Sequence, residues 1–181
     1  MSRADSGDNR VVPKSPDAPN VQRGELVDAL LSVSRAMVAL AARSLADLDA
    51  DVTLPQYRAL VILASRGPQR IVGIAAELGV NPSTATRMCD RLVRKRLIRR
   101  YRSTADRREV RLTLTADGRD LVQQVTDRRR VELERLVDGM RVSWRTPLLR
   151  ALRQLATAAG EPPEHEWWLG WANPDDLDAA G

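Results

Sequence analysis

The run from Gly79 to Pro82 constrains the fold of this chain more than any other feature. Glycine readily adopts the left-handed conformation that ends a helix, so Gly79 predicts the end of a short helix over 70–78. Asn81 is a favourable N-cap, and Pro82 suits the first helical position, where no N–H group is needed. The sequence therefore predicts a helix-turn-helix, with its second helix over 82–95.

The hydrophobic period changes directly after this second helix. Apolar spacings of three and four give way to alternation in Val110–Leu114, which is typical of a strand with one buried face. Another strand is expected around Ile98–Tyr101, and the basic connection Ser103–Arg108 is long for a tight hairpin. Two strands joined by such a loop predict a β-wing.

Long amphipathic segments flank this central region. Glu25–Leu48, Ala116–Val137 and Ser143–Ala158 carry apolar stripes at helical spacing. Their combined apolar surface exceeds what the helices of one protomer would cover, which calls for a second chain. We expect a mainly α fold with a small β-wing, in which a winged helix-turn-helix lobe is flanked by N- and C-terminal dimerisation helices.

Charge is distributed unevenly along the chain. Residues 82–111 contain eleven basic and three acidic residues, whereas residues 161–181 contain six acidic and no basic residues. A basic centre indicates a polyanionic partner, although a solvated arginine-rich surface would give the same counts. The expected parts are a disordered tail over 1–20, a helical dimerisation region over 25–53 and 116–158, a DNA-binding lobe over 54–115, and an acidic, tryptophan-containing tail over 160–181.

Several classes of function lack the residues they need. The chain has one cysteine, Cys89, and one histidine, His165, too few for an intramolecular disulfide or a metal site. No nucleophile accompanies a base, and no glycine-rich loop offers a phosphate cradle. No stretch has the roughly 18 apolar residues that span a bilayer, and residues 1–20 lack the apolar core of a signal peptide. We expect a cytoplasmic protein without catalytic activity, cofactor, metal or membrane partner.

Three stretches of sequence carry a family resemblance. They are Thr86–Leu92 in the second short helix, Asp106-Arg107-Arg108 in the wing, and Leu114-Thr115-Ala116-Asp117-Gly118 at the start of the next helix. With these residues at this spacing, the region from about Leu54 to Gly118 resembles the multiple antibiotic resistance regulator (MarR) family of bacterial transcription factors. The flanking helices agree in length and order, so the resemblance extends over residues 25–158 and leaves the acidic tail outside.

The resemblance implies a protein that acts on DNA as a two-fold dimer. Family members bind pseudo-palindromic operators, with the recognition helix in the major groove and the wing in the adjacent minor groove. Many are repressors that a small phenolic or aromatic ligand releases. We expect a dimeric repressor whose partners are double-stranded DNA, a second copy of the chain and a small-molecule effector. The alternative is a constitutive architectural DNA-binding protein without ligand control.

Individual DNA contacts follow from side-chain chemistry and from the resemblance. Arg87 is expected to contact guanine, because a guanidinium can bond O6 and N7 together. Arg108 is expected to enter the minor groove, held in place by Asp106. The full set of expected DNA-binding residues is Ser83, Thr84, Thr86, Arg87, Arg91, Arg94, Asp106, Arg107 and Arg108. The alternatives are that Thr86 and Arg87 only stabilise the helix, and that the wing pair is an ordinary surface ion pair.

An effector pocket is expected between the dimerisation helices and the DNA-binding lobe. Its candidate residues are Met37, Tyr57 and Trp144, although each also suits an ordinary core. Such a pocket would let a ligand change the spacing of the two recognition helices. The ligand itself is not identified by the sequence.

Two single residues and the tail pose further questions. Cys89 lies on the apolar face of the recognition helix, which indicates core packing rather than a redox sensor. Arg96 stands where the family commonly has glycine. A left-handed Arg96 would carry roughly 1–2 kcal/mol of strain, and a different helix end would shift the wing. The acidic tail either folds back onto the dimerisation helices or competes with DNA for the basic lobe.

Overall fold

The computed structural model describes residues 18–46, 48, 51–102, 109–140 and 145–168. Its elements are helices α1 (Ala18–Ala46), α2 (Leu54–Arg66), α3 (Ile71–Leu78) and α4 (Pro82–Arg94), strands β1 (Ile98–Arg102) and β2 (Val110–Leu114), and helices α5 (Ala116–Gly139) and α6 (Arg145–Ala158), followed by a 3₁₀ turn at Glu164–Glu166. The expected mainly α fold with a small β-wing is confirmed. No helix within these residues is both long and apolar enough to cross a membrane.

The described residues divide into two compact units, one that ends at Ala39 and one that begins at Leu40. The first unit contains most of α1, which begins at Ala18 rather than at Glu25 and ends at Ala46 rather than at Leu48. Large apolar side chains of this unit are exposed, with Leu26 at 60% and Val38 at 56%.

The core of the second unit is built around α2. Thr53 and Gln56 begin this helix with a reciprocal capping box, in which the Thr53 N–H donates to the Gln56 side chain at 3.0 Å. Large buried side chains of the core are Leu60, Leu63, Ile74, Leu92, Ile98, Leu112, Leu114, Val122 and Val125. They come from α2, α3, α4, both strands and α5, so the helix-turn-helix and the wing share one core.

The two strands pair in antiparallel register, with Ile98 opposite Leu114 and Arg102 opposite Val110. Gln69 adds a further bridge at the start of α3. Its backbone N–H donates to the Leu112 carbonyl at 3.0 Å and its carbonyl accepts from the Leu112 N–H at 2.8 Å. The helix-turn-helix is therefore tied to the wing by main-chain hydrogen bonds.

The start of α5 packs tightly against the connection between α4 and β1. The Thr115 hydroxyl accepts from the Gly118 N–H at 3.1 Å and donates to the Arg96 carbonyl at 2.5 Å. A Cβ on Gly118 would lie 2.0 Å from the Leu97 carbonyl oxygen. This approach of two backbones requires glycine.

Few of the side chains of helix α6 are covered by other described parts of the chain. All of its described side chains except Leu148 are exposed. Leu149, Leu152 and Leu155 are 48%, 50% and 44% exposed. These leucines form an unpartnered apolar stripe. Ser143 and Trp144, which the sequence placed at the start of this helix, lie outside the described residues.

Candidate nucleic-acid interface

The turn between α3 and α4 depends on a left-handed glycine. Gly79 has φ 63° and ψ 32°. Its N–H donates to the Ala76 carbonyl at 3.1 Å, and the Val80 N–H donates to the Ala75 carbonyl at 3.0 Å. These two bonds form a Schellman motif, which ends α3 and redirects the chain into α4. The predicted helix-turn-helix is confirmed.

The first turn of α4 is capped by Asn81. Its side-chain oxygen accepts from the Thr84 N–H at 2.9 Å and from the Ser83 hydroxyl at 2.7 Å. Pro82 occupies the first helical position, as expected. Asn81, Pro82 and Ser83 are all exposed. The positive end of the helix dipole is therefore open to solvent, where it favours an anion.

Helix α4 has one buried face and one basic face. Ala85, Cys89 and Leu92 are each 0% exposed. Six of the residues predicted to bind DNA lie in α4. Four of them are exposed, namely Ser83, Arg87, Arg91 and Arg94, and two are half-buried, namely Thr84 and Thr86. Within the described chain, Arg87, Arg91 and Arg94 form no ion pair. Their positive charge is thus available to a partner.

A groove of about 540 Å³ runs beside this basic face and is lined by Arg87, Asp90, Arg91, Val93, Arg94 and Arg100. Arg100 of β1 pairs with Asp90 of α4, which joins the recognition helix to the wing. Sequence analysis did not assign this pair to the site. The sequence feature that could have indicated the pair is Asp90, the only acidic residue of the otherwise basic helix α4.

The base of the wing is held by a second charged cluster. The Glu109 carboxylate lies 3.1 Å from the Arg111 guanidinium and 3.5 Å from that of Arg70, which precedes α3. The predicted wing residues Asp106, Arg107 and Arg108 lie outside the described residues, and their roles stay predictions.

Arg96 adopts the left-handed conformation, with φ 57°. The Arg96 N–H donates to the Val93 carbonyl at 2.9 Å, and the Leu97 N–H donates to the Leu92 carbonyl at 3.0 Å. Helix α4 thus ends as glycine-terminated helices do, but with arginine at the strained position. Of the two alternatives considered from the sequence, the structure selects the strained one.

We expect Arg96→Gly to raise the free energy of unfolding by about 1 kcal/mol, because glycine removes the clash of Cβ in the left-handed conformation. Urea denaturation measures this. Arg91→Gly is the matched control, since Arg91 is an exposed residue within the helix, where the same change is expected to lower stability by about 1 kcal/mol. A variant at position 96 no more stable than the parent chain would show that the site carries no strain.

Cys89 is fully buried on the apolar face of α4, which confirms the expected core position. Burial raises the pKa of its thiol from 9.0 to about 11. The thiolate is the reactive form, so a buried and protonated thiol is a poor target for oxidants.

We expect iodoacetamide at pH 8 to label the folded protein at least 100-fold more slowly than the urea-unfolded chain, because the thiol reacts only after local opening. The raised pKa also has a stability consequence. The unfolded thiol ionises near pH 9 and the folded thiol near pH 11, so its stabilising contribution is full below pH 9 and is lost as the pH rises to 11. The difference in Tm between the parent chain and Cys89→Ala should therefore shrink over that interval. Rapid labelling of the folded protein would reject the core assignment.

A cavity of about 840 Å³ lies between α2, α5 and the segment that follows α6. Thr126 and Arg129 line it, and both act on Tyr57, which is 5% exposed. Burial raises the pKa of Tyr57, while Thr126 and Arg129 oppose this shift. Tyr57 belongs to the hydrophobic core and is not among the residues that line the cavity. Among the described residues, the Arg129 Nε is buried without a hydrogen-bond partner. Of the other candidate pocket residues, Met37 is half-buried in the first unit and Trp144 lies outside the described residues.

Comparison with known proteins agrees with this arrangement. The MarR family model matches residues 52–110. The HTH-type transcriptional repressor MdtR of Bacillus subtilis (strain 168) is 32% identical over 108 residues, covering 60% of this chain and 70% of MdtR. The uncharacterized HTH-type transcriptional regulator YhbI of the same organism is 31% identical over 106 residues, covering 59% of this chain and 66% of YhbI.

Among solved structures, the crystal structure of RV1404 from Mycobacterium tuberculosis is 46% identical, with a TM-score of 0.72, and the match covers 77% of this chain and 95% of RV1404. The matches to the curated relatives span between 52% and 70% of those relatives' own lengths. The chain belongs to the MarR family of transcriptional regulators.

Proposed function

We propose that this protein is a sequence-specific DNA-binding repressor that acts as a homodimer. The observation that carries the proposal is the exposed face of α4, where three arginines follow a capped and open helix N-terminus and form no ion pair with any described residue. A helix of this kind suits the major groove, and its charge favours the phosphate backbone. MdtR, named as a repressor, supports the direction of control.

Within this proposal, Arg87 contacts a base and the other helix residues position the protein. Arg91 and Arg94 neutralise phosphates, while Ser83, Thr84 and Thr86 contact the backbone near the helix start. In the wing, Arg108 enters the minor groove with Asp106 as its partner, and Arg107 binds phosphate. These assignments come from side-chain chemistry and from the family resemblance.

The homodimer is supported by apolar surface that one protomer leaves uncovered. Leu26 of α1, Leu136 of α5 and Leu152 of α6 are 60%, 52% and 50% exposed. Burying large apolar side chains is favourable by about 1.5–3 kcal/mol each, so a second copy of the chain is a fitting occupant. A two-fold dimer presents two recognition helices and therefore selects pseudo-palindromic sites. Such a regulator acts in the cytoplasm of a bacterium, where its DNA lies, and we propose no catalytic activity for it.

Ligand control is the finer part of the proposal. The cavity lined by Thr126 and Arg129 is supported as an effector site by the Arg129 Nε, which has no hydrogen-bond partner among the described residues. An aromatic compound with an acidic group would accept a hydrogen bond from this donor. Tyr57, Met37 and Trp144 stay candidates for ligand contact from the sequence alone. A ligand must prefer the non-binding state by several kcal/mol to switch occupancy decisively.

Selection of bound fragments from genomic DNA, followed by fluorescence anisotropy, tests this function. We expect one pseudo-palindromic site bound at about 10⁻⁸ M or tighter, with aromatic acids weakening the binding. Sequence-indifferent binding with a steep salt dependence would favour the architectural alternative. Affinity for the selected site that no aromatic acid changes would reject the ligand control alone.

A further inference from the structure

The chain turns sharply after α6 and returns to the DNA-binding lobe. The segment Gly160–Trp168 is called the C-terminal strap. The Gly160 N–H donates to the Thr157 carbonyl and the Glu161 N–H to the Ala156 carbonyl, each at 3.0 Å. With Gly160 at φ 73°, these bonds form a Schellman motif. These hydrogen bonds to the last turn of α6 therefore fix the direction in which the strap leaves the helix.

The strap is bound along helix α2. The Glu161 carboxylate and the Arg58 guanidinium form a two-pronged ion pair, with one arm at 3.1 Å from Nη1 to Oε2 and a second from Nη2 to Oε1. Arg66 donates to the Gly160 carbonyl at 2.8 Å. Two-pronged pairs of this kind fix orientation as well as adding attraction. The strap thus has a defined register on α2.

The end of the strap reaches the corner that leads into the helix-turn-helix. The Trp168 ring packs on Gly67, where a Cβ would lie 3.1 Å from the ring Cδ2. The backbone N–H of Trp168 donates to the Ser65 carbonyl at 3.4 Å. Glu164 pairs with Arg130 of α5 at 2.5 Å. Of the two roles considered for the tail, the described part packs against the protein, on α2 and α5.

Helix α6 has little other attachment, since nearly all its described side chains are exposed. We propose that the strap fixes α6 relative to the DNA-binding lobe and thereby sets the spacing of the two recognition helices in the dimer. This inference rests on the proposed dimeric, DNA-binding function. An operator with fixed half-site spacing binds only the fraction of dimers that match it, so a loosened strap lowers the apparent affinity by that fraction.

The strap also forms part of the cavity beside α5, through Pro162, Glu164 and Trp167. A small molecule in that cavity would contact the strap directly. A ligand in the cavity could therefore shift the C-terminal strap and, through it, the spacing of the two recognition helices.

A charge-swap series on the full-length protein tests the strap. Arg58→Glu and Glu161→Arg each place like charges together, and the double variant restores an ion pair with reversed polarity. Glu166→Gln is the control, because Glu166 lies in the same segment and, among the described residues, forms an ion pair with its neighbour His165 alone, at 3.7 Å. Amide hydrogen exchange over 160–168 reports strap docking, and calorimetry verifies the fold. Anisotropy then measures affinity for the selected operator and for versions with two base pairs added or removed between half-sites.

We expect both single variants to lose exchange protection over the strap. Their operator affinity should fall at least fivefold, and their preference for the native spacing should shrink. The double variant should recover to within twofold of the parent chain, and Glu166→Gln should match it. A released strap with unchanged affinity and spacing preference would overturn the inference, as would single variants whose strap stays protected. Failure of the parent chain to select any operator would instead reject the proposed function, and with it this inference.

Discussion

Replacing Gly118 with alanine is expected to destabilise the protein by about 3 kcal/mol or more, an overpacking effect at the upper end of its usual range. The new Cβ would meet the Leu97 carbonyl oxygen at 2.0 Å. That oxygen cannot move freely, because it accepts the Thr115 N–H at 3.1 Å. The clash therefore forces α5 away from the connection between α4 and β1.

Differential scanning calorimetry measures the effect, which should lower Tm by roughly 6–12 °C for a chain of this size. Gly139→Ala is the matched control in the same helix, because no atom lies within 4 Å of its added Cβ. It should be neutral or slightly stabilising, since alanine is the better helix former. Equal Tm values for the two variants would contradict the close packing at Gly118.

The second large effect concerns DNA binding. Arg87→Ala is expected to weaken operator binding by about 10- to 100-fold, which corresponds to the 1–3 kcal/mol of a two-pronged contact to guanine. Stability should hardly change, because Arg87 is exposed and its hydrogen bonding within the described residues is limited to the Thr84 hydroxyl at 3.4 Å. Anisotropy titration and thermal unfolding measure the two quantities separately.

Two comparison variants distinguish a base contact from a phosphate contact. Arg87→Lys keeps the charge but not the fork, so it should lose discrimination at one base pair while retaining much of the salt dependence. Arg94→Ala should weaken all sequences uniformly and reduce the salt slope by about one unit. Binding by Arg87→Ala within twofold of the parent chain would remove Arg87 from the base-contacting set.

The helix-turn-helix could be predicted from sequence because its signals are local. The N-cap at Asn81, the left-handed Gly79 and the cap at Thr115 each act within a few residues of themselves. Their chemistry is the same in any chain. The period-2 pattern of β2 likewise reports its buried face directly. Such local signals are sufficient to predict from the sequence which face of α4 is exposed.

The strap could not be predicted in the same way. Arg58 and Glu161 are 103 residues apart, and neither stands in a pattern that identifies the other. The conformation of Arg96 was also undecided by sequence, because a left-handed arginine is held only by the surrounding packing. Both depend on tertiary contacts that no short window of sequence contains.

The backbone bridge between Gln69 and Leu112 has a consequence for how the protein can be controlled. It joins the start of the helix-turn-helix to the wing, and both also pack into one shared core. These contacts hold the recognition helix at a fixed distance from the base of the wing. We therefore expect a regulatory signal to move the helix-turn-helix and the base of the wing together, rather than to move one against the other.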